Sequence, residues 1–338
     1  MNNNEPASGS GTSVRSETNM SLNALRYIVA VDTHRSFVRA AGACGVTQPT
    51  LSAGIRSLES ALDVNIFDRR AHPVKPTVLG EKIIAQARLT LRNASQIQEI
   101  VAVEKGDGSG KVSMGIIPTI APYILPGLFR EIRTSHPDIR LTVSEMRTPF
   151  IIGKLLSAET DMAIMASPLE QEGLLEIPLY YEKFVAYISP SDELYRLDEI
   201  PSDRLVSDRL WILEEGHCLR SQVFSFCHSR QHTRTGYQAG SIDTLVRIVD
   251  TNGGYTVIPE LHTDFLTAAQ RANLRPIVRH PDTSGKDCPT CIPVREVSLV
   301  IREDYVRERL LNVIAGCIRN IVPQEMLDSR LRRFAIKL

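Results

Sequence analysis

The chain has 338 residues, 43% of them apolar and 23% charged, and 39 basic residues balance 39 acidic ones to a formal net charge of zero. That length accommodates two or three domains with cores of their own, and the balanced charge excludes a chain-wide polyanion-binding signal. No apolar run approaches the roughly 18 residues that a membrane span needs, and six cysteines in a chain this long do not make a disulfide scaffold.

Residues 1–19, rich in Asn, Ser, Gly and Thr, read as a disordered tail without the apolar segment of a signal peptide. The expectation is a cytoplasmic protein, for which Met20 is an alternative start, in a compartment where disulfides are mostly catalytic or redox-sensing. From Leu22 the pattern changes. Leu22, Leu25, Ile28 and Val29 predict a first helix ending near His34. Ser36 caps a second that stops before Gly45, and Thr47 caps a third from Gln48 to about Leu62, with Pro49 tolerated in its first turn. Ala40, Ala41 and Gly45 are small where two helices must cross closely. This is helix-turn-helix spacing, with the third helix able to enter a DNA major groove.

That helix offers Gln48, Pro49, Thr50, Ser52 and Arg56 to base edges and phosphates. The basic, Pro-punctuated stretch Phe67 to Pro76 reads as a wing carrying Arg69, Arg70 and Lys75. Between Met20 and Pro76, seven basic residues against four acidic ones give a local charge of +3, the distribution a DNA-binding module requires within a neutral chain.

Thr77 opens a long helix to about Val103, in which Leu79, Ile83, Ile84, Ala87, Leu91, Ala94, Ile97 and Val101 recur at steps of three and four. Its length of roughly 40 Å exceeds what one small domain covers, so the stripe is expected to pack against a second copy. Lys105 to Gly110 is a Gly-rich joint.

The remainder alternates strand and helix. Strands are expected at 112–117, 139–145 and 162–166, and helices at 120–133 and 149–156. Strands at 175–181 and 184–189 lead into a second block with a helix opening near His217, a helix over 241–251 and a strand over 255–258. A strand at 297–301 and a helix over 304–320 return to the first block, and 323–338 reads as an appended amphipathic helix. Two α/β lobes joined by crossing strands place a ligand cleft between them. The expected organisation is a tail (1–19), a DNA-binding domain (20–76), a linker helix (77–105), a hinge (106–110), a two-lobed regulatory domain (111–322, second lobe about 185–280) and a C-terminal extension (323–338).

One stretch carries reactive chemistry: Glu215-Gly-His-Cys-Leu-Arg-Ser-Gln-Val-Phe-Ser-Phe-Cys227. Cys218 lies beside His217 and two residues before Arg220, at the expected start of a helix, and both nearby cations and helix N-termini favour thiolate. On an intact helix, nine residues to Cys227 are a rise of about 13.5 Å, against the roughly 4.4–6.8 Å that a disulfide spans. Two readings follow: a pair of unrelated structural cysteines, or a pair that bonds only when the helix unwinds. Cys288-Pro-Thr-Cys291 with His280 falls short of the four ligands of a structural zinc site and reads as an incidental loop. Cys44 and Cys317 read as packing residues. No metal or cofactor site is expected.

The run Ala40-Ala41-x2-Cys44-Gly-Val-Thr-Gln-Pro-Thr-Leu-Ser-x2-Ile55-Arg-x-Leu-Glu59 resembles the winged helix-turn-helix signature of LysR-type transcriptional regulators, over about residues 20–320. Gly115-Ile-Ile-Pro-Thr-Ile-Ala-Pro-Tyr-Ile-Leu-Pro126, with Gly216-His-Cys-Leu-Arg and Cys227, is similar to the peroxide-sensing members of that family. The resemblance implies an α/β fold class: an N-terminal winged helix-turn-helix, a long linker helix and a two-lobed, periplasmic-binding-protein-like effector domain. It implies that peroxide attacks Cys218 to give sulfenic acid and that Cys227 closes a disulfide. Thr119, Thr148, His217, Arg220 and Arg295 are assigned to the peroxide pocket. The implied partners are double-stranded operator DNA, a second copy or three more in a homodimer or homotetramer, RNA polymerase and a dithiol reductant. Two positions depart from the pattern: Ser221, where an acid is common, and Pro149, where a polar residue is common. A LysR-type regulator with a non-covalent effector and a thiol peroxidase are the alternatives; the first would not need Cys218, and the second would not need residues 20–76.

Overall fold

The computed structural model describes residues 20–71, 73–104, 110–205, 209–226, 239–278 and 292–334. The expected tail, most of the hinge, and Cys227, His280, Cys288 and Cys291 lie outside the described residues. The chain forms two compact units, Met1–Ser95 and Gln96–Leu338.

In the first unit, α1 (Leu22–His34), α2 (Phe37–Cys44) and α3 (Gln48–Leu62) each begin at a hydroxyl cap, from Ser21, Ser36 and Thr47. Gly45 ends α2 at φ 70°, in the left-handed region where a side chain is strained. Ile28, Val31, Ala40, Leu51 and Ile55 are wholly buried and fuse the three helices into one core. Each large aliphatic side chain among them contributes about 1.5–3 kcal/mol of burial. Two short antiparallel strands, β1 (Phe67–Asp68) and β2 (Lys75–Pro76), form the wing.

The long helix α4 (Val78–Glu104) starts where the Thr77 hydroxyl accepts the Gly80 N–H at 2.9 Å. The middle of its apolar stripe serves its own domain: Ile84 and Ala87 are buried, and Ile83 and Leu91 pack on the three-helix core. The exposed apolar residues of α4 lie nearer its ends, at Val78, Leu79, Ile97 and Val101. A repeat of three and four marks one face of a helix without saying which partner covers each turn of it.

The second unit is built on β3 (Gly110–Ile116), α5 (Ala121–Ser135), β4 (Ile139–Glu145), α6 (Thr148–Leu156), β5 (Met162–Ser167), β6 (Leu174–Ile188) and β7 (Ile200–Pro201). Then follow α7 (Cys218–Phe226), α8 (Ile242–Asn252), β8 (Tyr255–Pro259), α9 (Ala268–Arg271), β9 (Leu274–Val278), β10 (Val294–Arg302) and α10 (Glu308–Ile321). The strands hydrogen-bond in the order β4-β3-β5-β10-β6-β9-β7, with β8 also on β6. β3 runs parallel to β4 and β5, whereas β10 is antiparallel to both β5 and β6. One apolar core lies among β3, β5, α5, α6 and α10, and a second among the end of β6, β8, α7 and α8. The fold is therefore the α/β class expected, with β6 running from the first core into the second.

Three features depart from expectation. The strands expected at 175–181 and 184–189 are one continuous strand, β6, because the charges that suggested a break at Glu182-Lys183 sit within the ladder. β9 was hidden by Arg275 and Pro276 inside a five-residue run. The C-terminal extension is not a helix: Pro323 ends α10, and 3-10 turns at Gln324–Leu327 and Ser329–Phe334 follow, anchored by buried Met326. No helix among the described residues is long and apolar enough to cross a membrane.

Candidate functional site

Gly216 precedes α7 at φ 91°, and a side chain there would also stand 3.1 Å from Arg147 Cδ. This turn delivers Cys218 as the first residue of α7. Two adjacent residues then face different cores: Cys218 packs on the core of β3, β5 and α5, whereas Leu219, with Val223, is buried in the core of β8 and α8. The start of α7 thus bridges the two lobes.

Cys218 is a free, half-buried cysteine. Burial pushes its thiol above the ordinary range, while the Arg295 charge and hydrogen bonds from the Thr119 hydroxyl, the Leu219 N–H and the Thr148 hydroxyl pull it down. The balance is upward, so the resting group is a thiol rather than the low-pKa thiolate that a flanking histidine and arginine suggested. Thr119 is placed by the turn after β3, and Thr148 is the first residue of α6, so both hydroxyls come from the first lobe.

Arg295, on β10, is wholly buried and stands directly opposite Glu182 on β6. Its Nε and Nη2 donate to Glu182 Oε2 at 2.8 and 2.7 Å. Nη1 donates to Thr119 Oγ1 at 3.2 Å and Nη2 to the Thr119 carbonyl at 2.9 Å. Glu182 Oε1 accepts the Leu261 N–H at 2.9 Å. The Thr119 oxygen accepts from Arg295, which leaves its proton for the Cys218 sulfur. Burial raises the Glu182 carboxyl against the opposing pull of Arg295, whose own value stays raised beside that carboxylate. We take the pair as ionised, because a two-armed guanidinium contact plus a backbone donor is the arrangement that offsets burial of two charges.

His217 is buried and directed at Glu214, with Nε2 to Oε1 at 3.8 Å. Burial and then the Arg147 charge push its pKa down, only partly offset by Glu214. It is therefore a neutral imidazole at neutral pH. Arg147 bonds Glu214 and reaches the Glu215 carbonyl at 3.4 Å. Arg220 is turned away from the sulfur: Nη1 donates to the Leu213 carbonyl at 3.0 Å, and the guanidinium lies over Phe224. The cation that acts on Cys218 is Arg295, which is distant in sequence.

The structure thus gathers Thr119, Thr148 and Arg295 around Cys218, places His217 at the edge, and leaves Arg220 out. Glu182, Arg147 and Glu214 were not anticipated. A signal for Glu182 existed: an acid inside an apolar strand, with an arginine inside another, is a pair of buried charges that need one another. Among the described residues no group of three or more His, Cys, Asp or Glu could hold a metal ion.

On the first unit Gln48, Pro49, Thr50, Arg56, Arg70 and Lys75 are exposed and Ser52 is half-buried. Arg69 differs from its neighbours. Its Nη2 bonds Glu59 Oε2 at 2.8 Å, and its guanidinium lies 5.7 Å from the centre of the Phe37 ring. Glu59 also accepts the Ile66 N–H at 2.8 Å, so Arg69 helps tie the wing to α3.

Two family models match in sequence order: the bacterial regulatory helix-turn-helix protein, lysR family, over residues 22–81, and the LysR substrate binding domain over residues 105–321. The chain belongs to the LysR family of transcriptional regulators. It is 34% identical over 243 residues to the DNA-binding transcriptional dual regulator OxyR of Escherichia coli K12, covering 72% of this chain and 80% of that one. A full-length mutant OxyR from Pseudomonas aeruginosa superposes with a TM-score of 0.73 at 32% identity, covering 89% of this chain and 98% of that one. A mutant OxyR from Corynebacterium glutamicum in its H2O2-bound form gives a TM-score of 0.55 at 26% identity, covering 95% and 98%. The LysR-family protein described here is thus OxyR-like, and its relatives are regulators of transcription.

Proposed function

We propose that this LysR-family regulator responds to hydrogen peroxide through Cys218 and Cys227 and controls oxidative-stress genes. The observation that carries this is the surroundings of Cys218: one cysteine, two threonine hydroxyls and a buried arginine at the junction of two cores. The likeness to an OxyR structure in its H2O2-bound form supports the choice of ligand.

The chemistry balances within the site. Burial keeps the resting Cys218 protonated and selective. A peroxide molecule held by Thr119 and Thr148 takes the thiol proton as sulfur attacks one oxygen. The O–O bond breaks, an S–O bond forms, and the departing oxygen leaves as water, with Arg295 stabilising charge on sulfur and on the leaving oxygen. The Cys227 thiol then attacks the sulfenic acid sulfur, releasing a second water and forming the disulfide. A dithiol reductant returns both thiols. Removing Cys218 from its position pulls on the peptide unit it shares with Leu219, so oxidation at one core is felt in the other.

The first unit supplies the output. Gln48, Pro49, Thr50, Ser52 and Arg56 read or position operator DNA, and Arg70 and Lys75 contact phosphate. Exposed Val78, Leu79, Ile97 and Val101 on α4 are the surface for a second copy in a homodimer or homotetramer, which in turn engages RNA polymerase. Replacing Ile97 by Asp tests that surface better than a change at Leu91, which packs within its own domain. Light scattering should show the loss of the oligomer.

Peptide mapping of alkylated protein before and after one equivalent of peroxide tests the mechanism. We expect Cys218 to become protected in a peptide joined to that of Cys227, and the Cys218→Ser protein to lose the peroxide-dependent change in operator binding. If Cys218 stays alkylatable, or operator binding by Cys218→Ser still follows peroxide, the reading is wrong. Turnover of many peroxides per chain with a reductant would point to the peroxidase instead.

A further inference from the structure

Arg295 faces two anions in turn. One is Glu182, present at all times, to which it gives its Nε and Nη2 groups at 2.8 and 2.7 Å. The other is the sulfur of Cys218 once ionised, which Arg295 attracts and which Thr119, itself bonded to Arg295 Nη1, contacts directly. Glu182 and Arg295 are both wholly buried, so solvent does little to screen the charge of one from the other.

We propose that Glu182 is a positioning residue that holds the Arg295 guanidinium on itself and so limits how much of that charge reaches the Cys218 sulfur, setting the threshold at which the thiol reacts. This rests on reading Cys218 as the sensing thiol. The anchor is well built. The Leu261 N–H fixes the far oxygen of Glu182 at 2.9 Å, and cross-strand pairing of Glu182 with Arg295 fixes the near one. With the carboxylate removed, the guanidinium keeps its positive charge and the thiolate becomes its best remaining partner.

The other groups around the site do not supply this restraint. Arg147 is paired with Glu214, and His217 is held towards neutral by burial and by Arg147. Tyr123 and Tyr180 are held protonated, mainly by burial. Tyr123 bonds His262 at 2.9 Å, and burial also lowers His262, with Asp243 opposing. Arg220 is committed to the Leu213 carbonyl.

The experiment measures the rate of Cys218 alkylation by iodoacetamide against pH in the reduced full-length protein, with the modified peptide counted by mass spectrometry. In Glu182→Gln the midpoint should fall by about one pH unit, a tenfold faster reaction on the acid side. Glu182→Asp, which draws the carboxylate back by one methylene and keeps the buried charge, should shift it the same way by less. It decides the matter if Glu182→Gln does not fold. The double variant Glu182→Gln, Arg295→Gln should have a midpoint at or above the parent's, because the effect runs through Arg295. A midpoint unchanged or raised in folded Glu182 variants overturns the proposal, and so does a double variant as low as Glu182→Gln. Alkylation needs only a thiol. A Cys218 that ignores peroxide would therefore sink the proposed function while leaving this result readable.

Discussion

The Glu59–Arg69 pair of the first unit and the Glu182–Arg295 pair of the second have the same chemistry and differ in kind. Glu59 and Arg69 join α3 to the wing, and the Arg69 side chain keeps 41% of its surface. Glu182 and Arg295 join two strands, and neither side chain keeps any. Water solvates Arg69 whether or not its partner is there; Arg295, sealed from water, has Glu182 as its counter-charge and the two oxygens of Thr119 as its other acceptors. The first pair is a staple, in which the carboxylate's bonds to backbone N–H groups matter more than its ion pair. The second is a mutual requirement, and the Cys218 thiol feels the charge of its arginine.

That contrast is open to test. Arg295→Ala leaves a buried carboxylate without its cation and should cost about 3–5 kcal/mol in urea unfolding, with the Cys218 alkylation midpoint rising as burial goes unopposed. A loss below ~1 kcal/mol would put this pair in the same class as the surface one. Glu59→Ala should cost about 1–3 kcal/mol, because the buried Ile66 N–H loses its acceptor. Arg69→Ala should cost less than ~1 kcal/mol. It should also weaken operator binding less than Arg70→Ala or Lys75→Ala, each of which lowers the salt slope of binding by about one; gel-shift titrations at several salt concentrations rank them.

The smallest effect concerns His217, whose pKa burial lowers. Above the ordinary histidine value of about 6.5 the group is neutral in folded and unfolded chains alike and contributes no pH dependence. As the pH falls through that value the unfolded chain takes the proton first, so stability declines until the folded pKa is passed. His217→Gln should flatten this part of the stability profile.

How much of this could be read from the sequence followed a physical rule. The three N-terminal helices are legible in the sequence, the second and third down to their caps, since Ser36 and Thr47 act within three residues of their own positions. The strands of the second unit are legible as apolar runs until a charge interrupts them, and β6 reads as two strands parted at Glu182 because local pattern assigns acids to solvent. Only the strand opposite, carrying Arg295 in register, makes that acid an interior residue. Local sequence offers His217 and Arg220 as the cations of the site because they are neighbours, and Arg295 enters only through the family resemblance. The fold turns one towards Glu214 and the other onto Phe224, and brings the acting cation from β10. The α4 stripe was legible as apolar, but which turns face the three-helix core depends on where that core ends.

The pairing of β6 with β10 has a consequence for folding. Nine residues of β10 are matched to β6, and the apolar ones among them are nearly interchangeable in shape, so they specify alignment only weakly. A slip by one residue in one direction would set Glu296 against Glu182, placing two carboxylates across a dry interface; in the other it would set Val294 there and leave the buried acid with no cation, and either turns Arg295 to the opposite face. The buried pair is thus a checksum for strand alignment: a chain that closes these strands wrongly meets like charges, or an acid with no cation, at the point where the correct chain meets unlike charges.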